Sequence, residues 1–258
     1  MLRTGISEVN ITPELGLPMA GMVKPPRAEG VLWPLFGRTV VFDDGVRRAA
    51  VVCLDLLALM PSTVAELRQA MTAGTELEPT DVMITCTHTH RAPYTVPIMD
   101  EPANYAYLDF LRERLVAGML RALAARRPAR VKVGHVDAPG WTFNRRPVYL
   151  TSMGEQVGTQ GPLWEKSFLR LEGPEDNELK VLLVEDGSGG CLGGLVNFAC
   201  HTTVMGSEPV YSADYAGSLT ETLTKRYGGI FGFLQGAGGN LWCVDRRVER
   251  PIIEQGPN

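Results

Sequence analysis

Histidine is scarce in this chain, with four residues in 258. The cysteines show no pattern. There are five (Cys53, Cys86, Cys191, Cys200 and Cys243), an odd number with no C-x-x-C pair, so neither a disulfide framework nor a cysteine zinc site is encoded. An excess of positive charge is also missing: the net charge of -4 at pH 7 gives no field to attract nucleic acid. No apolar run approaches the roughly 20 residues that span a membrane, and the opening stretch MLRTGISEVNITPELG has no apolar signal core. No repeat period appears. These absences lead to the expectation of a cytoplasmic protein that acts on a small molecule, with no nucleic-acid partner and no membrane anchor.

What is present fits a folded chain. A composition of 45% hydrophobic and 21% charged residues excludes disorder and coiled coil, and with no linker the expectation is a single domain over residues 1–258. Alternation in RTVVFDDGVRRAAVVCLDLL predicts a hairpin with strands at 38–43 and 48–55, turning at Asp44-Gly45. PSTVAELRQAMTAG predicts a helix, with Thr63 and Glu66 at capping-box spacing and Gly74 as its stop. Further strands are predicted in DVMITCT, ARVKVGHV, LKVLLVED, GGLVNFAC and GIFGFLQ, and further helices over 103–125 and in YAGSLTETLTKRYGG. Residues 138–165, punctuated by Gly and Pro, read as an irregular and functional loop. The tail RRVERPIIEQGPN has no element to close it and reads as incomplete at the C-terminus. This mixture predicts an α/β (α+β layered) fold: mixed β-sheets flanked by helices.

The rare histidines are not scattered at random. In TCTHTHRAP, His88 and His90 follow an apolar run, and in an extended segment residues two apart share a face. His201 closes the run GGLVNFAC. Three of the four histidines thus sit at the carboxyl ends of predicted strands, where sheet proteins collect binding residues. Imidazole suits zinc, and a catalytic zinc site keeps about three protein ligands plus water; hydrogen-bonded loop histidines are the plain alternative. His135, inside a strand, reads as a packed or surface residue. Asp55 reads as a metal ligand, a partner of a histidine, or a helix-initiating residue. Asp214 reads as a ligand or an N-cap. Arg145 and Arg146 could fork onto a carbonyl or carboxylate, or be solvated. The loop Gly238-Gly239-Asn240 offers backbone N–H groups for an oxyanion, or merely turns the chain.

Taken in order, NITPELGLPMAGM, TVVFDDG, VVCLDLL, THTH with Pro93, NRRPVY, LVNFACHTT, SADYAG and FLQGAGGN resemble the N-terminal domain of the neutral/alkaline non-lysosomal ceramidase family, from about Ile6 to about Asn240. The resemblance implies a zinc amidase cleaving an N-acyl bond, with His88 and His201 as zinc ligands, His90 facing the scissile carbonyl and Arg145 stabilising the oxyanion. The sequence departs from the family in places. Trp242 stands where the family's serine nucleophile belongs, Arg91 replaces the usual serine after T-H-T-H, and Leu32-Trp33-Pro34-Leu35 replaces His-Asp-Pro-Leu. The family's remaining zinc ligands, a glutamate and a tyrosine, lie downstream of the matched region. The leading expectation is a metal (zinc)-dependent hydrolase of an N-acyl amide bond, either a fragment of a longer enzyme or a degenerate member, with ceramide or a smaller amide or ester as its substrate. A non-catalytic binding module with an eroded site, and a thiol hydrolase using Cys243, are its rivals.

Overall fold

A computed structural model describes residues 1–245 and 247, apart from 23, 162 and 207. The tail that reads as unfinished lies outside the described residues from 248 onward. The chain opens with β1 (Arg3–Asn10), a short β2 (Gly30–Val31), then β3 (Phe36–Asp43) and β4 (Arg48–Leu54). The expected hairpin is there: β3 and β4 pair antiparallel around a turn in which Gly45 adopts φ 90°, a conformation glycine tolerates without strain.

Helix α1 (Pro61–Thr72) follows, but not through the expected capping box. Its N-cap is Met60 with no side-chain cap bond, and Pro61 opens the helix. Proline at the first helical position lacks only an N–H that would be orphaned anyway, so Thr63 and Glu66 are not needed as caps. A capping box does occur further on, between Glu78 and Asp81 across a 3-10 turn, leading into β5 (Val82–Cys86). Helix α2 (Tyr105–Ala124) buries Tyr107, Leu111, Leu115, Met119 and Ala122, the i, i+4 stripe of a helix lying on a sheet, and Asn104 caps it by accepting from the N–H of Tyr107 at 2.9 Å.

β6 (Arg127–Asp137) then pairs along the later strand Glu178–Asp186 and joins β1 through Arg127 and Pro128. The stretch expected to be irregular contains β7 (Phe143–Asn144), β8 (Pro147–Thr151) and β9 (Gly154–Val157), and β10 (Phe168–Leu171) completes a three-stranded sheet in the order β10-β8-β9. Every residue of β9 is exposed, so the hairpin has no buried face there to imprint a period-two hydrophobic pattern. β11 (Glu178–Asp186), β12 (Cys191–Phe198), β13 (Val210–Tyr211), helix α3 (Asp214–Tyr227), β14 (Ile230–Gln235) and β15 (Leu241–Trp242) complete the described chain.

Eight strands form one mixed sheet in the order β14-β12-β11-β6-β1-β3-β4-β5. Only its two ends are parallel: β4 with β5, and β12 with β14. Helices α1 and α2 cover β1, β3 and β4, while α3 covers β12 and β14. The sheet curls on itself, so that β14 packs against β3, β4 and β5 at the opposite end. Gly232 makes this closure possible, since a Cβ there would meet Cys53 Sγ at 2.8 Å. Val40, Cys53 and Leu195 form the core between the facing layers. No helix among the described residues is long and apolar enough to cross a membrane.

Asp55 follows the last residue of β4 and is buried. Its Oδ2 accepts from Arg38 Nη1 at 2.9 Å and from the Phe36 N–H at 2.9 Å, and Arg38 Nε reaches Glu8 at 2.8 Å. Burial by itself would lower the Arg38 pKa, but Asp55 and Glu8 more than offset it and leave it raised. Asp55 is therefore neither a helix initiator nor a partner of a histidine; it balances a buried guanidinium. Removing one partner of such a pair strands the other. Asp55→Ala is expected to cost about 3 kcal/mol or more in urea denaturation, and Arg38→Met combined with Asp55→Leu to recover most of that loss.

Candidate metal centre

The curl brings together the carboxyl ends of the two parallel pairs. His88 lies two residues past β5, and His201 three past β12. The segment after β5 is not extended: His88 has φ 65°, left-handed and costly for a residue with a Cβ, on the order of 1–3 kcal/mol. The expectation that His88 and His90 meet by sharing the face of an extended segment is thus corrected. They meet because the backbone reverses at His88, whose N–H bonds Leu56 O at 3.0 Å.

All three imidazoles are held in the same way. His88 Nδ1 lies 3.0 Å from Leu57 O, His90 Nδ1 2.9 Å from Gly21 O, and His201 Nδ1 3.2 Å from Gly238 O. A carbonyl can only accept, so each Nδ1 carries the proton and each neutral ring leaves a lone pair on Nε2. Gly21, at φ 89°, is required here: a Cβ would run into the His90 ring.

The free nitrogens converge. His90 Nε2 and His201 Nε2 are 3.2 Å apart, the His88 and His201 ring centroids are 4.5 Å apart, and one ligand atom from each of the three rings lies within 4.8 Å of the others. Desolvation lowers the pKa of each ring: His90 from 6.5 to about 4, with His88 adding; His201 from 6.5 to about 4, with Arg145 adding; and His88 in the same direction, with Arg145 again contributing. Two neutral rings facing each other through acceptor nitrogens have no proton to share, so the arrangement fits a cation between them. The His90–His201 separation is close to the edge of about 3.3 Å between two nitrogens each about 2.0–2.1 Å from a tetrahedral zinc. Backbone carbonyls orienting the far nitrogens are the usual support for metal-binding histidines.

Of the other residues singled out in the sequence, Arg145 joins the cluster. Its Nη2 donates to Gly239 O at 2.8 Å and its N–H to Asn240 O at 2.9 Å, while its Nε–H is buried without a partner among the described residues. Arg146 turns instead toward Glu172, 3.6 Å away. The loop Gly238-Gly239-Asn240 meets His201 and Arg145 through its carbonyl oxygens, and the Gly238 N–H is taken by Gly236 O at 2.7 Å. It orients a ring and a guanidinium. Asp55 and Asp214 lie outside the three-histidine group; Asp214 is the first residue of α3 rather than its N-cap, and its carboxylate accepts the N–H groups of Val204, Met205 and Tyr215 at 3.1, 3.2 and 2.7 Å. His135 sits on the exposed face of β6, its Nδ1 2.7 Å from Glu178. Burial, with Asp214 adding, pushes the Cys243 thiol up to about 12, which keeps it protonated at neutral pH and counts against a thiolate nucleophile.

Sequence reasoning missed two features. Arg91 is almost fully buried, with no signal in a sequence where exposed arginine is the norm. The carbonyls of Gly21 and Leu57 also escaped notice, because a backbone acceptor leaves no residue-type signature.

Solved structures share this fold. The neutral ceramidase from Pseudomonas aeruginosa superposes with a TM-score of 0.77 at 21% identity over 93% of this chain, and a ceramidase complexed with C2 does so with a TM-score of 0.77 at 22% identity over 94%. The present chain spans 39% and 38% of the length of those chains. No protein-family model and no curated protein matches the sequence.

Two outcomes are expected of the metal-free protein. Glycine relieves the left-handed backbone at His88, so His88→Gly should be more stable than His88→Ala by about 1 kcal/mol in urea denaturation. The lowered histidine pKa values mean that the unfolded chain binds protons the folded chain does not between 6.5 and about 4, so stability is full above that window and falls as pH drops through it. The denaturation midpoint of the wild type should decline more steeply with falling pH than that of the His90→Ala/His201→Ala double variant.

Proposed function

We propose that this chain hydrolyses an N-acyl amide bond in a small molecule, using a zinc ion held by His88, His90 and His201. The observation that carries the reading is the convergence of three neutral imidazoles whose Nδ1 protons are all committed to backbone carbonyls. The fold shared with ceramidases supports amide hydrolysis in particular. Zinc bound there would supply Lewis-acid polarisation of a carbonyl and an acidified water.

The chain's own residues supply the rest. The Nε2 lone pairs bind, and the carbonyls of Leu57, Gly21 and Gly238 hold the rings in one tautomer. Arg145 receives the negative charge that develops on the substrate's carbonyl oxygen as water adds. Its guanidinium is anchored to Gly239 O, its Nε–H is unspent, and a preorganised cationic donor is worth far more in a partly desolvated site than in water. On this reading His90 is a ligand and does not contact the carbonyl. Trp242, at the family's serine position, donates its Nε1–H to Thr203 Oγ1 at 3.0 Å and has no nucleophilic atom, so water is the attacking group.

Purified protein is expected to bind one zinc per chain and to cleave a short N-acyl test substrate. His88→Ala and His201→Ala should lose both properties. Arg145→Ala should keep its zinc and lose about 100-fold in kcat. A zinc-loaded, folded protein inactive on amides and esters alike, yet still binding a small ligand, would decide for the non-catalytic module.

A further inference from the structure

His88 and His90 belong to one segment and His201 to another, so the ligand triangle is only as fixed as the joint between them. Among the described residues several contacts brace that joint, Thr89 Oγ1 donating to Ser212 O at 2.7 Å being one of them. On one side Thr202 Oγ1 donates to Thr87 O at 2.6 Å and lies 3.2 Å from Gln235 Oε1. On the other is Arg91, the residue after His90. Its guanidinium donates to the carbonyls of Met205 (2.9 Å), Gly206 and Glu208, and to the Glu208 carboxylate at 3.1 Å. Asp214 grips the same turn from its amide side through Val204 and Met205. It does so from φ 55°, a second strained residue beside the site. Arg91 is itself pinned: its N–H donates to Thr89 Oγ1 at 3.2 Å, and its carbonyl accepts from Ser212 at 3.2 Å.

The Arg91 side chain is 2% exposed, whereas Glu208, the carboxylate it hydrogen-bonds among the described residues, is 61% exposed; Asp214 acts on the guanidinium only through space. Burying a guanidinium mainly against neutral carbonyls is a poor source of net stability, because the charge gives up its hydration for partners that carry no opposite charge. What it does provide is a planar fork that fixes several carbonyls in one geometry. We propose that Arg91 is a positioning residue of the metal centre, tying the turn after His201 to the His88–His90 segment and so setting the gap between His90 and His201 that the ion fills. This rests on the three-histidine reading above.

The test is cobalt(II) titration of the full chain, followed by its visible absorption, with circular dichroism as the check on folding. Wild type is expected to give an intense band of four-coordinate character. Arg91→Ala should bind cobalt about 10- to 100-fold more weakly with a shifted, weaker band, and millimolar guanidinium should restore part of both. Arg91→Lys keeps the charge but cannot fork onto three carbonyls; it should show the same loss, and it carries the test where Arg91→Ala does not fold. A folded Arg91 variant with wild-type cobalt affinity and spectrum overturns the proposal and leaves the metal centre standing. Wild type that takes up no cobalt overturns the three-histidine reading, and the role of Arg91 with it.

Discussion

The close approach of β14 to β4, where Gly232 lies against Cys53, is the contact on which the rest of the molecule depends. An open sheet in the observed strand order would place β5 and β14 at opposite edges, with their carboxyl ends far apart. Curling puts one parallel pair against the other, and parallel strands deliver their following loops to the same side. His88 after β5, His201 after β12 and the glycine loop after β14 then become neighbours despite their distance in sequence. The antiparallel strands between them serve as the span that is bent.

Closure creates an electrostatic problem as well as a site. Three imidazoles are taken out of water within a few ångströms of one another, where Arg145 also acts on them electrostatically, and burial lowers the pKa of each. The carbonyls of Leu57, Gly21 and Gly238 oppose that shift, but their larger effect is directional: by fixing the proton on Nδ1 they aim every lone pair inward. The left-handed φ values of His88 and Asp214 have the same origin. Both residues hold a side chain where a relaxed backbone would not, and strain of this kind persists only where surrounding bonds over-determine it.

Much of this was legible in the sequence. Apolar runs ending in histidine marked the ends of β5 and β12, and the Asp44-Gly45 turn and the α2 stripe were written in local pattern. So was the layered α/β fold. Other features were not, for identifiable reasons. The β8–β9 hairpin is exposed along its second strand and carries no alternation. A proline at the helix start made the Thr63–Glu66 box redundant. The conformation of His88 is imposed by bonds to Leu56 and Leu57, which no propensity of histidine predicts. Asp55 and Arg38 lie 17 residues apart, and only the β3–β4 pairing shows that the acid answers the arginine and does not serve a metal.

Three residues that set the sequence apart from the ceramidase pattern it resembles make contacts between segments of the chain. Trp33, in the segment that replaces His-Asp-Pro-Leu, lies over Gly217 of α3 and donates its Nε1–H to Glu221 at 3.3 Å. Trp242 ties β15 to Thr203, beside His201. Arg91 ties the turn beyond Thr203 to His90. Each of the three is a long side chain that spans two segments of the chain, and two of the three brace the loop carrying His201. With His90 turned to face His201 across 3.2 Å, three nitrogen donors are present among these residues, which is the number a catalytic zinc needs when water takes the fourth place. A site built from those three donors requires rigidity between two segments, and there the sequence has placed Arg91, one of its buried arginines.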